Sequence, residues 1–383
     1  MLSAGEASGD LHAASLFTVL RRMVPDVRGI GMGGAAMREA GVDIRFDSSG
    51  IGVIGLAEIA RHFGEIQKAL RVMKELLHRE RPDLVICVDY KEFNFRLAKA
   101  AKSLGIKVLF YVSPQVWAWR EGRVKSYGQI IDHMAVIFPF ELPFYDRYGI
   151  PATYVGHPLA GKVRSSEEKS RSLNRLGLRS GEGPVIGLLP GSRSNEIARL
   201  LPTIIASARR LQARYPSARF LLFRAPSLGE IDLAAKFEGV RGLILIEGQD
   251  YNALQCCDAV ITVSGTATLE VALMGVPMVI VYRLSPLSYW IGRMLVRVPF
   301  IGLPNILMGR GIVREFIQDE ASPENVSGEI TRILEDSSYR EAMRQDLGGV
   351  RSLLGPLEGS RELARLAASM LETLPVIEDD GRS

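Results

Sequence analysis

The feature that most constrains this chain is a regular alternation of short, uninterrupted apolar runs with amphipathic helical patterns. "DLVICVDY" (83–90) has the continuous apolar character of a strand buried on both faces. "FRLAKAAKSLG" (95–105) spaces its apolar residues as a helix and stops at a glycine, and "KVLFYVSP" (107–114) is the next strand. "HMAVIFPF" (133–140) and "ATYVG" (152–156) continue the series. A second series starts at "PVIGLLPG" (184–191), with a helix over 195–214 and then the strands "RFLLFRAP", "LILIEG", "DAVITVSG" and "PMVIVYR". Strands that are apolar throughout, alternating with helices, predict parallel sheets covered on both faces.

Between the two series lies "KVRSSEEKSRSLNRLGLRSGEG", which is polar and glycine-containing. A chain of 383 residues is long enough for two domains. The expected organisation is an α/β protein with two Rossmann-like domains in tandem, over 1–163 and 184–350. Residues 164–183 form the linker, and 351–383 a closing helix and a frayed tail. Tandem doubly wound domains are expected to hold ligand in the cleft between the carboxyl edges of their strands.

Composition narrows the function. The net charge of +4 is mild and dispersed, and aromatics are not interleaved with basic clusters, so nucleic acid is not an expected partner. An anionic small substrate or an anionic membrane surface fits better. Three cysteines, Cys87, Cys256 and Cys257, make no disulfide framework and lack metal-ligand spacing, which points to a reducing compartment and no metal site. "MLSAGEASGD" is not a signal peptide, and no run of about 18 apolar residues predicts a membrane span.

Two strand-to-helix turns are candidate phosphate sites. "VIGLLP" leads into "GSRSNEIARLL", where Gly191 permits close backbone approach and Ser192 and Arg193 open a helix. An ordinary serine-capped turn is an equally good reading. "ITVSGTATLEVALMG" repeats the architecture with Ser264, Gly265, Thr266 and Ala267, all small. Glu270 follows Thr266 by one helical turn, on the side of the turn, where a carboxylate can accept from the vicinal hydroxyls of a ribose. A capping box needs a spacing of three, and Ala267 stands at that position.

Other candidates carry weaker signals. "GEASGD" brings Glu6, Ser8 and Asp10 to the end of the first strand, either as ligand contacts or as caps of a helix over 10–23. "VDYKEFN" puts Asp89 and Glu92 at a strand end, where a carboxylate can act as a base. "SPQVWAWREGRVK" holds Trp117, Trp119 and Arg120, suited to a phosphorylated sugar or to a membrane interface. Amphipathic stretches 51–81 and 286–302 can lie on a membrane or pack on a sheet. "GIGMGG" (29–34) matches a dinucleotide fingerprint, but it follows the second strand and not the first.

Taken together, "SAGEASGD", "YVSPQVWAWR", "FPFE", "VGHPL", "LLPGSR", "SGTATLE" and "LPNILMGR" resemble the lipid-A-disaccharide synthase family in order and spacing. The resemblance covers Ser3 to about Gln318. It implies the GT-B arrangement and a cytoplasmic enzyme peripheral on the inner face of the inner membrane. It further implies UDP-2,3-diacylglucosamine as donor and 2,3-diacylglucosamine 1-phosphate as acceptor, joined with inversion into a β-1,6 linkage, without metal or other cofactor. In this reading Ser264 to Ala267 and Arg193 hold the diphosphate, Glu270 the ribose, and Asn305 of "LPN" orients the donor. Ser8, Asp10, Trp117, Trp119 and Arg120 face the acceptor or lipid. One departure matters: the family usually has Asp-x-Pro-Asp-Phe-Asn where this chain has "DYKEFN", so the base stays open between Glu92, Asp89 and Glu6. Competing readings are another UDP-sugar transferase or epimerase of the same fold, and an oxidoreductase using "GIGMGG".

Overall fold

The computed structural model describes residues 1–49, 56–114, 116–119, 121–229, 232–285 and 299–371. They fall into two units, Met1–Pro158 with the segment from Pro356 onward, and Leu159–Gly355.

The first unit is built on seven parallel strands: β1 (Leu2–Ala4), β2 (Ile30–Gly33), β3 (Asp43–Asp47), β4 (Leu84–Val88), β5 (Lys107–Tyr111), β6 (His133–Val136) and β7 (Ala152–Tyr154). Their order is β3-β2-β1-β4-β5-β6-β7. β4 is buried along its whole length, as its unbroken apolar run predicts. The second unit has six parallel strands: β8 (Val185–Leu189), β9 (Arg219–Arg224), β10 (Leu243–Glu247), β11 (Ala259–Val263), β12 (Met278–Tyr282) and β13 (Arg314–Ile317), in the order β10-β9-β8-β11-β12-β13. Both sheets therefore reverse winding direction once, between β1 and β4 and between β8 and β11. A crevice opens at the carboxyl ends of the strands flanking such a point.

The expected boundaries shift in two places. The segment expected as the linker carries the short helix its pattern allows, Lys169–Arg175, and this helix packs into the second unit: Leu173 is buried, Ser172 accepts from Gln255, and Arg175 pairs with Asp250 at 3.0 Å. The closing helix, Gly359–Leu371, belongs to the first unit. It buries Leu363, Ala364 and Ala367 in one cluster with Leu16, Phe17 and Leu20 of the Ala7–Met23 helix. Small residues on the closing helix allow that close approach, a packing signal that strand–helix counting does not read. β2, β3 and β13 are short and mostly polar or glycine-containing, which hid them from the apolar-run criterion, and the second strand expected ahead of "GIGMGG" lies instead within it. The tail "PVIEDDGRS" and residues 286–298 lie outside the described residues.

Candidate active site

At the switch point of the second unit, β8 and β11 are hydrogen-bonded neighbours, with Leu189 beside Thr262. The turns that leave them, Gly191–Arg193 and Ser264–Thr266, therefore lie side by side. Each contains a glycine in left-handed or related backbone, Gly191 at φ 105° and Gly265 at φ 145°. A cavity of about 300 Å³ opens there. Gly191, Ser192, Arg193, Ser264, Gly265, Thr266, Ala267 and Glu270 all line it, so the two turns paired from sequence do share one site. Two helices start beside it, Ser194–Arg214 and Thr266–Leu273, and bring their positive dipole ends. Ser227 fixes the first turn by donating to the Ser192 carbonyl at 2.9 Å.

Glu270 is 8% exposed and sits within the Thr266–Leu273 helix. Burial raises its carboxyl above the usual range, with the Tyr251 hydroxyl opposing the shift. Gln249 Nε2 and Tyr251 OH each donate to Oε1 at 2.8 Å. Both line the cavity, and sequence reasoning missed both, because a Gln and a Tyr beyond an edge strand carry no motif. Ser264, in the same lining, donates to the Ile301 carbonyl at 3.0 Å.

Asn305 does something other than expected. It is 1% exposed, and its amide donates to Val313 O (2.9 Å) and Glu315 Oε1 (2.7 Å) and accepts from the N–H of Ile312 (2.7 Å) and Val313 (3.0 Å). Four bonds exhaust its capacity, so it stitches the chain beside β13 and has no group left to orient a donor. Glu315, also missed, accepts from Ile301 N, Gly302 N and Asn305, and so positions the segment that Ser264 bonds.

In the first unit the switch point pairs Ala4 with Val88. The chain just beyond holds Glu6 and Asp89. Asp89 and Tyr90 are consecutive non-glycine residues in left-handed backbone (φ 46° and 47°), and Val112, at the end of neighbouring β5, has φ 63°. A β-branched residue there is strained, and such strain persists only where the surrounding structure holds it. Burial raises the Asp89 carboxyl, while Lys91 and a backbone N–H oppose it. Asn94 donates to the Asp89 carbonyl at 2.7 Å and so holds this bend. Glu6 lies close enough to Tyr90 to raise its hydroxyl, after burial.

The remaining expectations separate here. Glu92 forms a two-pronged ion pair with Arg123, and its side chain is 66% exposed, on the first turn of the Lys91–Ser103 helix. Ser8 is exposed within the first turn of the Ala7–Met23 helix, which starts three residues earlier than expected. Asp10 is 8% exposed and faces inward: it accepts from the N–H groups of Gly34 (2.7 Å), Ala36 (3.0 Å) and Met37 (3.2 Å). It caps the Ala35–Glu39 helix and is spent as a ligand contact. The same carboxylate occupies the anion position that "GIGMGG" would offer a pyrophosphate, and a Cβ on Gly34 would lie 2.8 Å from it. That removes the dinucleotide reading. Trp117 donates from Nε1 to Glu141 at 3.1 Å and packs edge-on against Phe140. Glu141, 1% exposed, also accepts from Ser113 and Phe138 N, and burial pushes it up to about 7. The Trp119 side chain and Arg120 lie outside the described residues.

Among the described residues, no helix is long and apolar enough to cross a membrane. Among the same residues, no group of three or more His, Cys, Asp or Glu is arranged to hold a metal ion.

A family model described as lipid-A-disaccharide synthetase matches residues 1–359. The lipid-A-disaccharide synthase of Geobacter sulfurreducens is 48% identical over 373 residues, 97% of each chain. Among solved structures, the MnaA–UDP complex of S. aureus superposes with TM-score 0.64 at 12% identity, covering 98% of this chain and 97% of that one. MurG of Acinetobacter baumannii superposes with TM-score 0.56 at 15% identity, covering 96% and 98%. At these identities the structures establish the fold, which is that of GT-B glycosyltransferases.

Proposed function

Because the chain belongs to the lipid-A-disaccharide synthase family and is a glycosyltransferase, we propose that it transfers 2,3-diacylglucosamine from UDP to the 6-hydroxyl of 2,3-diacylglucosamine 1-phosphate, with inversion. The observation that carries this reading is the cavity of the second unit. Two glycine turns and two helix N-termini there suit a diphosphate, and a buried carboxylate suits a ribose. The nucleotide-bound neighbour of the same fold supports UDP as the leaving group.

In this mechanism the amides of 191–193 and 264–267 take up the charge that grows on the departing diphosphate, and Arg193 adds a cation. Asp89 is the general base that accepts the proton of the acceptor 6-hydroxyl as it attacks the anomeric carbon. Its raised proton affinity and strained setting favour it over Glu92, which is committed to Arg123. Glu6 is the neighbouring carboxylate. Trp117 offers its apolar face to the acceptor while Glu141 holds its N–H. The enzyme works at the cytoplasmic face of the inner membrane, where both acylated substrates reside.

Acceptor-dependent UDP release from detergent-dispersed donor, measured in EDTA, tests this. Activity that persists in EDTA and is lost in Glu270→Ala and Arg193→Ala is the expected result. UDP bound but never released on adding acceptor favours a different UDP-sugar enzyme of this fold, and no UDP binding removes the reading.

A further inference from the structure

Glu270 is buried, but among the described residues its partners are neutral and lie on one side. Both Gln249 Nε2 and Tyr251 OH donate to Oε1, and no protein donor among the described residues reaches Oε2. A buried carboxylate left half-bonded is costly, and the cost falls when a ligand donor completes the set. The two donors are held in advance. They flank Asp250, whose Oδ1 accepts from Ala253 N at 2.9 Å while Oδ2 pairs with Arg175 at 3.0 Å. Gln249 and Tyr251 thus project from a segment pinned at its centre, and with Glu270 they line one cavity.

We propose that Gln249 and Tyr251 are positioning residues that make Glu270 a one-sided acceptor, and that this arrangement makes the cavity select a ribose over a deoxyribose nucleotide. The inference rests on the reading of the cavity as a nucleoside-diphosphate site. It assigns the discrimination to the pair that aims the carboxylate, as well as to the carboxylate itself. A site built around a waiting hydrogen-bond acceptor rejects the analogue lacking the hydroxyl more strongly than an apolar pocket does.

The test is calorimetric binding of UDP, 2′-deoxy-UDP and 3′-deoxy-UDP to the full chain. The native protein should favour UDP over at least one deoxy analogue by about tenfold or more. Tyr251→Phe, which removes a single oxygen, and Gln249→Ala should each lower that preference by roughly threefold, and together bring it to within about twofold of unity. A role in folding alone would weaken all three ligands together and leave their ratio unchanged. An unchanged ratio in Tyr251→Phe, with UDP still bound, overturns the proposal, as does a native protein that binds UDP without preference. A native protein that binds no UDP overturns the nucleotide reading, and this inference with it.

Discussion

Replacing Asp10 by alanine removes the acceptor of three backbone N–H groups at once. Two of them, Gly34 and Met37, bond Oδ1, and Ala36 bonds Oδ2. Hydrogen bonds to a charged acceptor each contribute about 1.5–3 kcal/mol, and the losses overlap because water enters once the helix end opens. A cap on its own is worth at most about 2 kcal/mol. We therefore expect the Ala35–Glu39 helix to open more easily by roughly 3 kcal/mol, which is about a hundredfold in its opening equilibrium. Hydrogen exchange read on a peptide spanning 31–40 measures this directly. Protection there should fall about a hundredfold, while peptides from the second unit are unchanged. Asp10→Asn keeps one oxygen and should lose about half as much free energy. Protection of 31–40 changed by less than threefold, alongside a tenfold loss of acceptor-dependent turnover, would refute the capping argument and return Asp10 to the substrate.

Four further outcomes are expected. Asp89→Asn should lower turnover by about 10²–10⁴ with UDP affinity unchanged, whereas Glu92→Gln, which breaks an exposed pair, should stay within a few-fold; steady-state kinetics with UDP calorimetry separates them. The catalytic pH profile should rise through an Asp89 titration displaced above the usual carboxylate range, since only the ionised form is a base. Glu141, raised from 4.5 to about 7, favours its protonated form when folded. Its contribution is fully present below pH 4.5 and is lost as pH rises through 7, on the order of 3 kcal/mol, and Glu141→Gln should flatten that slope in urea unfolding. Asn305→Ala should destabilise the protein by about 2–3 kcal/mol without a selective rise in the KM for donor, because its four bonds are internal.

Much of this architecture was legible because buried parallel strands have few alternatives. "DLVICVDY" and "DAVITVSG" read as strands from composition alone, and the glycines behind "LLP" and "TVS" announced turns. That those turns share a cavity could be guessed only from the winding order, which brings β8 against β11. The roles of polar residues were less accessible. Asp10 and Asn305 sit in recognisable stretches, yet their bonds go to the backbone of segments 26 and 8 residues away. Sequence shows a carboxylate near a strand end but not which way it faces. Gln249 and Tyr251 act through neighbours brought in by tertiary structure, so no local pattern marks them, and "FPFE" marks Glu141 without showing that its carboxylate turns inward to Ser113 and Trp117.

The chain leaves the first unit at Pro158 and returns to it at Pro356. During synthesis, the face of the Ala7–Met23 helix that receives Leu363, Ala364 and Ala367 stays uncovered until the ribosome has passed residue 371. The later-made half, whose residues are contiguous, can close as soon as Gly355 emerges. The order of maturation is thus inverted relative to the order of translation. The half with the proposed nucleotide cavity can close first, and the half bearing the proposed base waits exposed through nearly two hundred codons. An mRNA that stalls or terminates short of that last helix would release a chain with one finished half and one sticky one, a natural substrate for chaperones and for quality-control proteolysis.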